Sequence, residues 1–335
     1  MQYLFILISL ILLSSCGGSS ATQDPEIIPP PVANIVTRSA SYTYTLISDV
    51  KYAEGLTHSD WNASNPSTMD LLLDIYRPDN DFQSRPAVVF IHGGGFSGGS
   101  KTAASAFAML SYFAERGFVG FSINYRLLGD YGTIPDELDV LAGMIPDTTE
   151  YQRDQARAMY PAGRDAKAAI RWIYANADTY GIDTNSISVI GGSAGSYIAL
   201  GLGVTEQTDY LDELTLAEDP TLATTNMGQS SIIHTVIDHW GGTSLVDIIE
   251  SAYGLSRWDA NDAPVSIVHG TDDPTVPFSE AEAIRDQYEL TGVPYAYYPI
   301  EGGGHGIWGA TVNGKALTEL ALDFIVTSQG LDIGD

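Results

Sequence analysis

The chain has 335 residues, 44% of them hydrophobic, enough apolar material for a large core in one α/β unit. Its 15 basic residues stand against 42 acidic ones, a formal net charge of −27, which excludes a nucleic-acid-binding face and reads as a well-solvated surface. One cysteine excludes an internal disulfide, and no repeat or long low-complexity tract argues against a globular fold.

The first element is a targeting segment. Residues 1–13 (MQYLFILISLILL) are nearly all apolar, the length of a signal-peptide core and too short for a comfortable membrane span. They run into Leu13-Ser14-Ser15-Cys16-Gly17, which resembles the bacterial lipoprotein lipobox. That resemblance implies that Cys16 becomes the lipidated first residue. The protein would then be exported to the periplasm or cell surface and touch a membrane only through this anchor. The alternative is an ordinary signal peptide and a soluble secreted protein. Residues 1–16 are thus the signal segment. Residues 17–38 (GGSS, then DPEIIPPP) read as a flexible, then stiffer tether, and 39–335 as one folded domain.

Strands and helices then alternate. Residues 41–50 (SYTYTLISDV) and 69–76 (MDLLLDIY) have the alternation and β-branched or aromatic content of strands. Residues 87–91 (AVVFI), 118–124, 187–190, 235–237, 265–268 and 295–298 are short apolar runs of the kind buried on both faces of a sheet. Helical stretches lie at about 102–116, 163–177, 194–203, 279–290 and 315–327. This order predicts an α/β fold: a mostly parallel sheet, helices on both faces, functional groups at the carboxyl ends of the strands. Two connections are long. Residues 127–161 form an insertion that reads either as a lid or as a surface excursion, and 205–231 is acidic and Thr-rich.

Gly191-Gly192-Ser193-Ala194-Gly195 matches G-x-S-x-G between the strand ISVI and a helical pattern. Small residues there let the chain turn sharply enough to lift Ser193 Oγ above the sheet as a nucleophile. Upstream, His92-Gly93-Gly94-Gly95-Phe96 follows the strand AVVFI, and its glycines leave backbone N–H groups able to approach a substrate oxygen closely. A phosphate cradle is the other use of such a loop, but no G-K-[ST] follows. Near the end of the chain, His305 stands between glycines on a loop after the strand YAYYPI, where packing gives it no purpose. It is the candidate general base.

HGGGF followed by GGSAGS, with AGRDAKAAIRWIYANADTYGID between them, resembles the HGGG-type bacterial carboxylesterases of the α/β-hydrolase superfamily, in their feruloyl-esterase-like branch. The resemblance covers most of residues 42–329. It implies an eight-stranded sheet and a catalytic domain over 39–335. It also implies an oxyanion hole from the amides of Gly94, Gly95 and Ala194, and a structural His92. The triad order in this fold is Ser, Asp, His. His269-Gly270-Thr271-Asp272-Asp273-Pro274-Thr275-Val276-Pro277 resembles the family's acid loop, and its register selects Asp273 over Asp272. Phe96, Trp240 and Trp308 lie beside strand ends or these loops and are candidates to line a substrate pocket. His58, His234, His239 and His269 match no zinc spacing.

These residues imply acyl transfer through Ser193 without a cofactor. The expected substrates are small to medium carboxylic esters, including acetyl or feruloyl esters of plant polysaccharide. A lipase, a polyester hydrolase, and a non-catalytic binding protein on the same scaffold are the alternatives.

Overall fold

The apolar runs of the sequence come together as one sheet in the computed structural model, which describes residues 35–335. The expected signal segment, Cys16 and most of the expected tether lie outside the described residues. A two-residue strand β1 (Val36–Thr37) is followed by β2 (Tyr44–Thr57), β3 (Ser67–Pro78), β4 (Arg85–Ile91), β5 (Val119–Ile123), β6 (Ile182–Gly192), β7 (Thr235–His239), β8 (Val265–Gly270) and β9 (Tyr295–Ile300). Strands β2 to β9 form one sheet in the order β2-β3-β5-β4-β6-β7-β8-β9. β3 is antiparallel to both β2 and β5, and every later pairing is parallel.

The helices are α1 (Ala104–Ala114), α2 (Asp136–Met144), α3 (Glu150–Ala175), α4 (Ala177–Tyr180), α5 (Ala194–Val204), α6 (Ser244–Tyr253), α7 (Ser279–Thr291) and α8 (Leu317–Gln329). Strand β4 explains how they divide. Its seven residues are all buried, and successive side chains point to opposite faces. Ala87, Val89 and Ile91 join the core under α3, α5, α6 and α7, while Val88 and Phe90 join a second core under α1 and α8. The hairpin β10 (Thr311–Val312) and β11 (Lys315–Ala316) precedes α8.

Several elements depart from the sequence reading. The packed chain begins before residue 39: Val36 is buried, and β1 pairs in parallel with β12 (Ile333–Gly334), so the tether cannot extend to 38. The helix expected over 163–177 begins at Glu150. Thr149 and Gln152 cap it reciprocally, Gln152 N donating to Thr149 Oγ1 at 3.3 Å and Thr149 N to Gln152 Oε1 at 2.9 Å. Pro161 forfeits one helical hydrogen bond, and the helix runs through it because that stretch is buried on the sheet. Residues 127–161 are therefore mostly helical, holding α2 and the first turns of α3. α6, not anticipated, ends at Gly254 in the left-handed region (φ 71°).

α3 is tied to the sheet by a buried ion pair. Arg126, just after β5, chelates Asp165 with Nη2–Oδ1 at 2.7 Å and Nε–Oδ2 at 3.0 Å, its amide donates to Oδ2 at 2.8 Å, and Nη1 donates to Leu56 O at 3.1 Å. Both side chains are 3% exposed. Asp165→Ala leaves a desolvated guanidinium without its partner and should cost about 3–5 kcal/mol. Urea unfolding of the variant against the parent measures it; a change under about 1 kcal/mol would contradict this account.

Candidate active site

The site forms where β6 turns into α5. Ser193 occupies the turn with φ 55° and ψ −128°, a region that L residues rarely adopt. Its amide donates to His239 O at 3.0 Å, and its carbonyl accepts from Ser196 N at 2.8 Å. The turn must be tight: a Cβ at Gly195 would lie 2.1 Å from Ile91 O, so only glycine lets α5 start against the end of β4.

Two loops reach this turn from neighbouring strand ends. His305, after β9, has Nε2 2.9 Å from Ser193 Oγ and Nδ1 2.7 Å from Asp273 Oδ2. Asp273, after β8, has a fully buried side chain, and its Oδ1 accepts from Thr275 N at 2.8 Å and Val276 N at 2.9 Å. Burial pushes this carboxyl up, but the hydrogen bonds from His305 and the Val276 and Thr275 amides prevail and hold it below the usual carboxylate range. Asp272 is exposed and contributes only its amide, which donates to Gly303 O at 2.9 Å. His269 is buried beneath the acid, donating from Nε2 to Val276 O at 2.9 Å, and burial lowers its pKa.

The glycine loop after β4 lies beside the turn. Gly94 has φ 123°, and a Cβ there would meet Gly98 O at 2.2 Å, so the loop folds back on itself only as glycine. Among the described residues, the amides of Gly94, Gly95 and Ala194 donate to no protein group. His92 braces the loop: its Nδ1 donates to Gly93 O at 2.8 Å, and its ring stacks on Tyr125 at 4.3 Å.

A pocket of about 290 Å³ opens over Ser193, Gly95 and Ala194. Phe96 lines it. Trp240 and Trp308, expected on its wall, do not. Trp240 is 1% exposed, with its ring 4.8 Å from Trp308 and 6.4 Å from His305. Trp308 in turn lies 5.7 Å from Phe90 and 5.0 Å from His239. The two tryptophans support the catalytic loops from the core side. The wall includes residues that sequence reasoning passed over: Gln152, Gln155, Ala156 and Met159 of α3, and Tyr197 of α5. Gln155 Nε2 donates to Gly95 O at 2.8 Å and so orients the glycine loop. Tyr197 was legible as one helical turn beyond Ser193; the α3 residues became visible only once α3 was seen to start at Glu150.

An eight-stranded, mostly parallel sheet with a serine at the β6–α5 turn and Asp and His on later loops is an α/β-hydrolase fold. The chain belongs to the BD-FAE family, whose profile matches residues 73–140 and 139–256, more than half of its length. Esterase LipC of Mycobacterium tuberculosis is 27% identical over 259 residues, which cover 70% of this chain and 56% of that protein. The chain thus spans about half the length of such curated relatives. Among solved structures, Thermogutta terrifontis esterase 2 phosphorylated by paraoxon is similar at 26% identity and a TM-score of 0.56, over 82% of this chain and 94% of that one. A truncated carbohydrate esterase from gut microbiota shares the fold at 21% identity and a TM-score of 0.57, over 88% and 99% of the two chains.

A second carboxyl lies behind the turn. Asp238, near the end of β7, is fully buried, accepts from Ser196 Oγ through Oδ1, and among the described residues leaves Oδ2 without a partner. Burial pushes its pKa from 3.8 to about 7, against the lowering effect of the Ser196 and Gly241 hydrogen bonds. The folded state therefore holds this proton more tightly than the unfolded chain. Its contribution to stability is full below about pH 4 and is lost as pH rises through about 7. Asp238→Asn should flatten that decline. Urea unfolding at intervals from about pH 4 to about pH 8 reads the slope, and an undiminished slope in the variant would contradict the assignment.

Proposed function

We propose that this protein is an exported serine carboxylesterase acting on small to medium carboxylic esters. The observation that carries the reading is the continuous hydrogen-bonded relay from Asp273 through His305 to Ser193. His305 Nε2 takes the Ser193 proton as Oγ attacks the ester carbonyl, and Asp273 steadies the imidazolium. The tetrahedral oxyanion meets the unpartnered amides of Gly94, Gly95 and Ala194 at the positive end of α5. Collapse expels the alcohol, which takes the proton from His305. Water, activated by the same imidazole, then hydrolyses the acyl-enzyme. Acetyl and feruloyl esters of plant polysaccharide are the substrate classes favoured by the sequence resemblance, and neutral esters suit a surface of net charge −27.

Ser193→Ala should abolish ester hydrolysis by several orders of magnitude and block labelling by a fluorophosphonate, with cooperative melting retained. Asp273→Asn should lower kcat about 10⁴-fold, whereas Asp272→Asn stays within a few-fold of the parent. Hydrolysis by Ser193→Ala near the parental rate would sink the proposal.

The export part of the proposal rests on the apolar residues 1–13 and on Cys16. Among the described residues no helix is long and apolar enough to cross a membrane. Cys16→Ser should move the protein from the membrane to the soluble fraction or block its maturation. Unchanged fractionation, with no lipid mass on the parental N-terminus, would reject the anchor.

A further inference from the structure

The hollow over Ser193 adjoins a second space. Ala156 and Met159 are three residues apart on α3 and face the same way. Both line the Ser193 pocket, and both also line a second groove of about 280 Å³ bounded by α2, α3 and α6. The two spaces differ in chemistry. The Ser193 pocket carries Gln152, Gln155 and Thr275, whereas the groove is walled by Leu141, Ile145 and Ile248, with Asp247 at its α6 edge. A shallower hollow beside Val140, an apolar residue 54% exposed, shares Leu141 and Ser251 with the groove.

Size points the same way. Ligand sites usually span roughly 300–1,000 Å³. The Ser193 pocket alone, at about 290 Å³, sits at the lower edge of that range, and a substrate reaching over the shared wall into the groove would occupy a site well inside it. An apolar groove that shares the Ala156 and Met159 wall with the nucleophile's pocket suits the part of a substrate that does not react. The exposed Asp247 carboxylate at the rim disfavours an anionic tail, and the walls of Leu141, Ile145 and Ile248 disfavour any charged one, so the occupant is neutral.

We propose that the groove between α2 and α6 is the subsite for the remote apolar part of the ester, a hydrocarbon chain or an aromatic ring, and that it makes the enzyme prefer esters carrying such a group to those whose acyl and alcohol parts are both short. The inference rests on the reading of Ser193 as an esterase nucleophile. Burial of each methylene in the groove should raise kcat/KM about fourfold until the groove is full, the transfer free energy of a CH₂ group expressed as a rate ratio.

The test uses two matched series of neutral esters on the purified enzyme. One lengthens the acyl group from acetyl to octanoyl on a constant alcohol, and the other lengthens the alcohol of an acetate. One series is expected to rise with chain length, and its identity tells which side of the ester enters the groove. Ile248→Trp fills the groove, and Ser251→Phe narrows it from an exposed position at its mouth; each should flatten the rising series. Fluorophosphonate labelling of Ser193 runs in parallel. Flat profiles in both series, from enzyme that is labelled and turns over acetate, would overturn the groove and leave the esterase reading standing. A rising series that both cooperatively melting variants retain would also overturn it. No labelling and no turnover of any ester would remove the esterase reading, and the groove with it.

Discussion

The backbone at Ser193 is held at φ 55° and ψ −128°, and much of the surrounding architecture serves to keep it there. A conformation of this kind costs about 1–3 kcal/mol and survives only where the surroundings overdetermine it. Here β6 is paired on both sides, by β4 and β7, and α5 starts directly against the end of β4. The Ser193 amide is spent on His239 O, and the aromatic cluster of Trp240, Trp308 and Phe90 fills the space beneath. The strained turn is what lifts Oγ clear of the sheet to meet His305.

Around that turn the protein handles buried carboxyl groups in opposite ways. Asp273 receives three hydrogen bonds, two from amides and one from His305, and these outweigh burial. Asp238, a strand away, has the Ser196 hydroxyl and the Gly241 backbone to lower its pKa but an Oδ2 with no partner among the described residues, so burial prevails and the pKa rises. Both side chains are shut off from solvent. With both equally shielded, the donors aimed at each carboxyl set the direction of its shift.

Helix α3 joins the fold to the site. Its middle is fixed to the sheet by the Arg126–Asp165 pair, and its first turns carry Gln155 to the carbonyl of Gly95 and Met159 to the pocket wall. One rigid element thus sets both the position of the glycine loop and the shape of the space above the nucleophile. A site built on helices and strand ends in this way is held more closely than one built on loops alone.

The local chemistry was legible before any coordinates. The eight sheet strands declared themselves as short apolar or alternating runs, because a strand buried on both faces needs apolar residues at consecutive positions. Ser193, His305 and the glycine loop were readable because a sharp turn demands small residues around the one that reacts. Between Asp272 and Asp273, spacing alone was silent; only family register chose, and the fold puts Asp273 in the relay because neighbouring side chains diverge and one alone faces His305. The extension of α3 back to Glu150 was hidden by Pro161, whose usual helix-breaking signal is overridden by burial against the sheet. Trp240 and Trp308 looked like pocket walls from their positions at strand ends, yet which side of a loop an aromatic ring takes depends on packing against residues distant in the chain. The pocket itself assembles from β4, α3, α5 and the acid loop, segments whose proximity no local pattern encodes, and so it existed only once the sheet had closed around them.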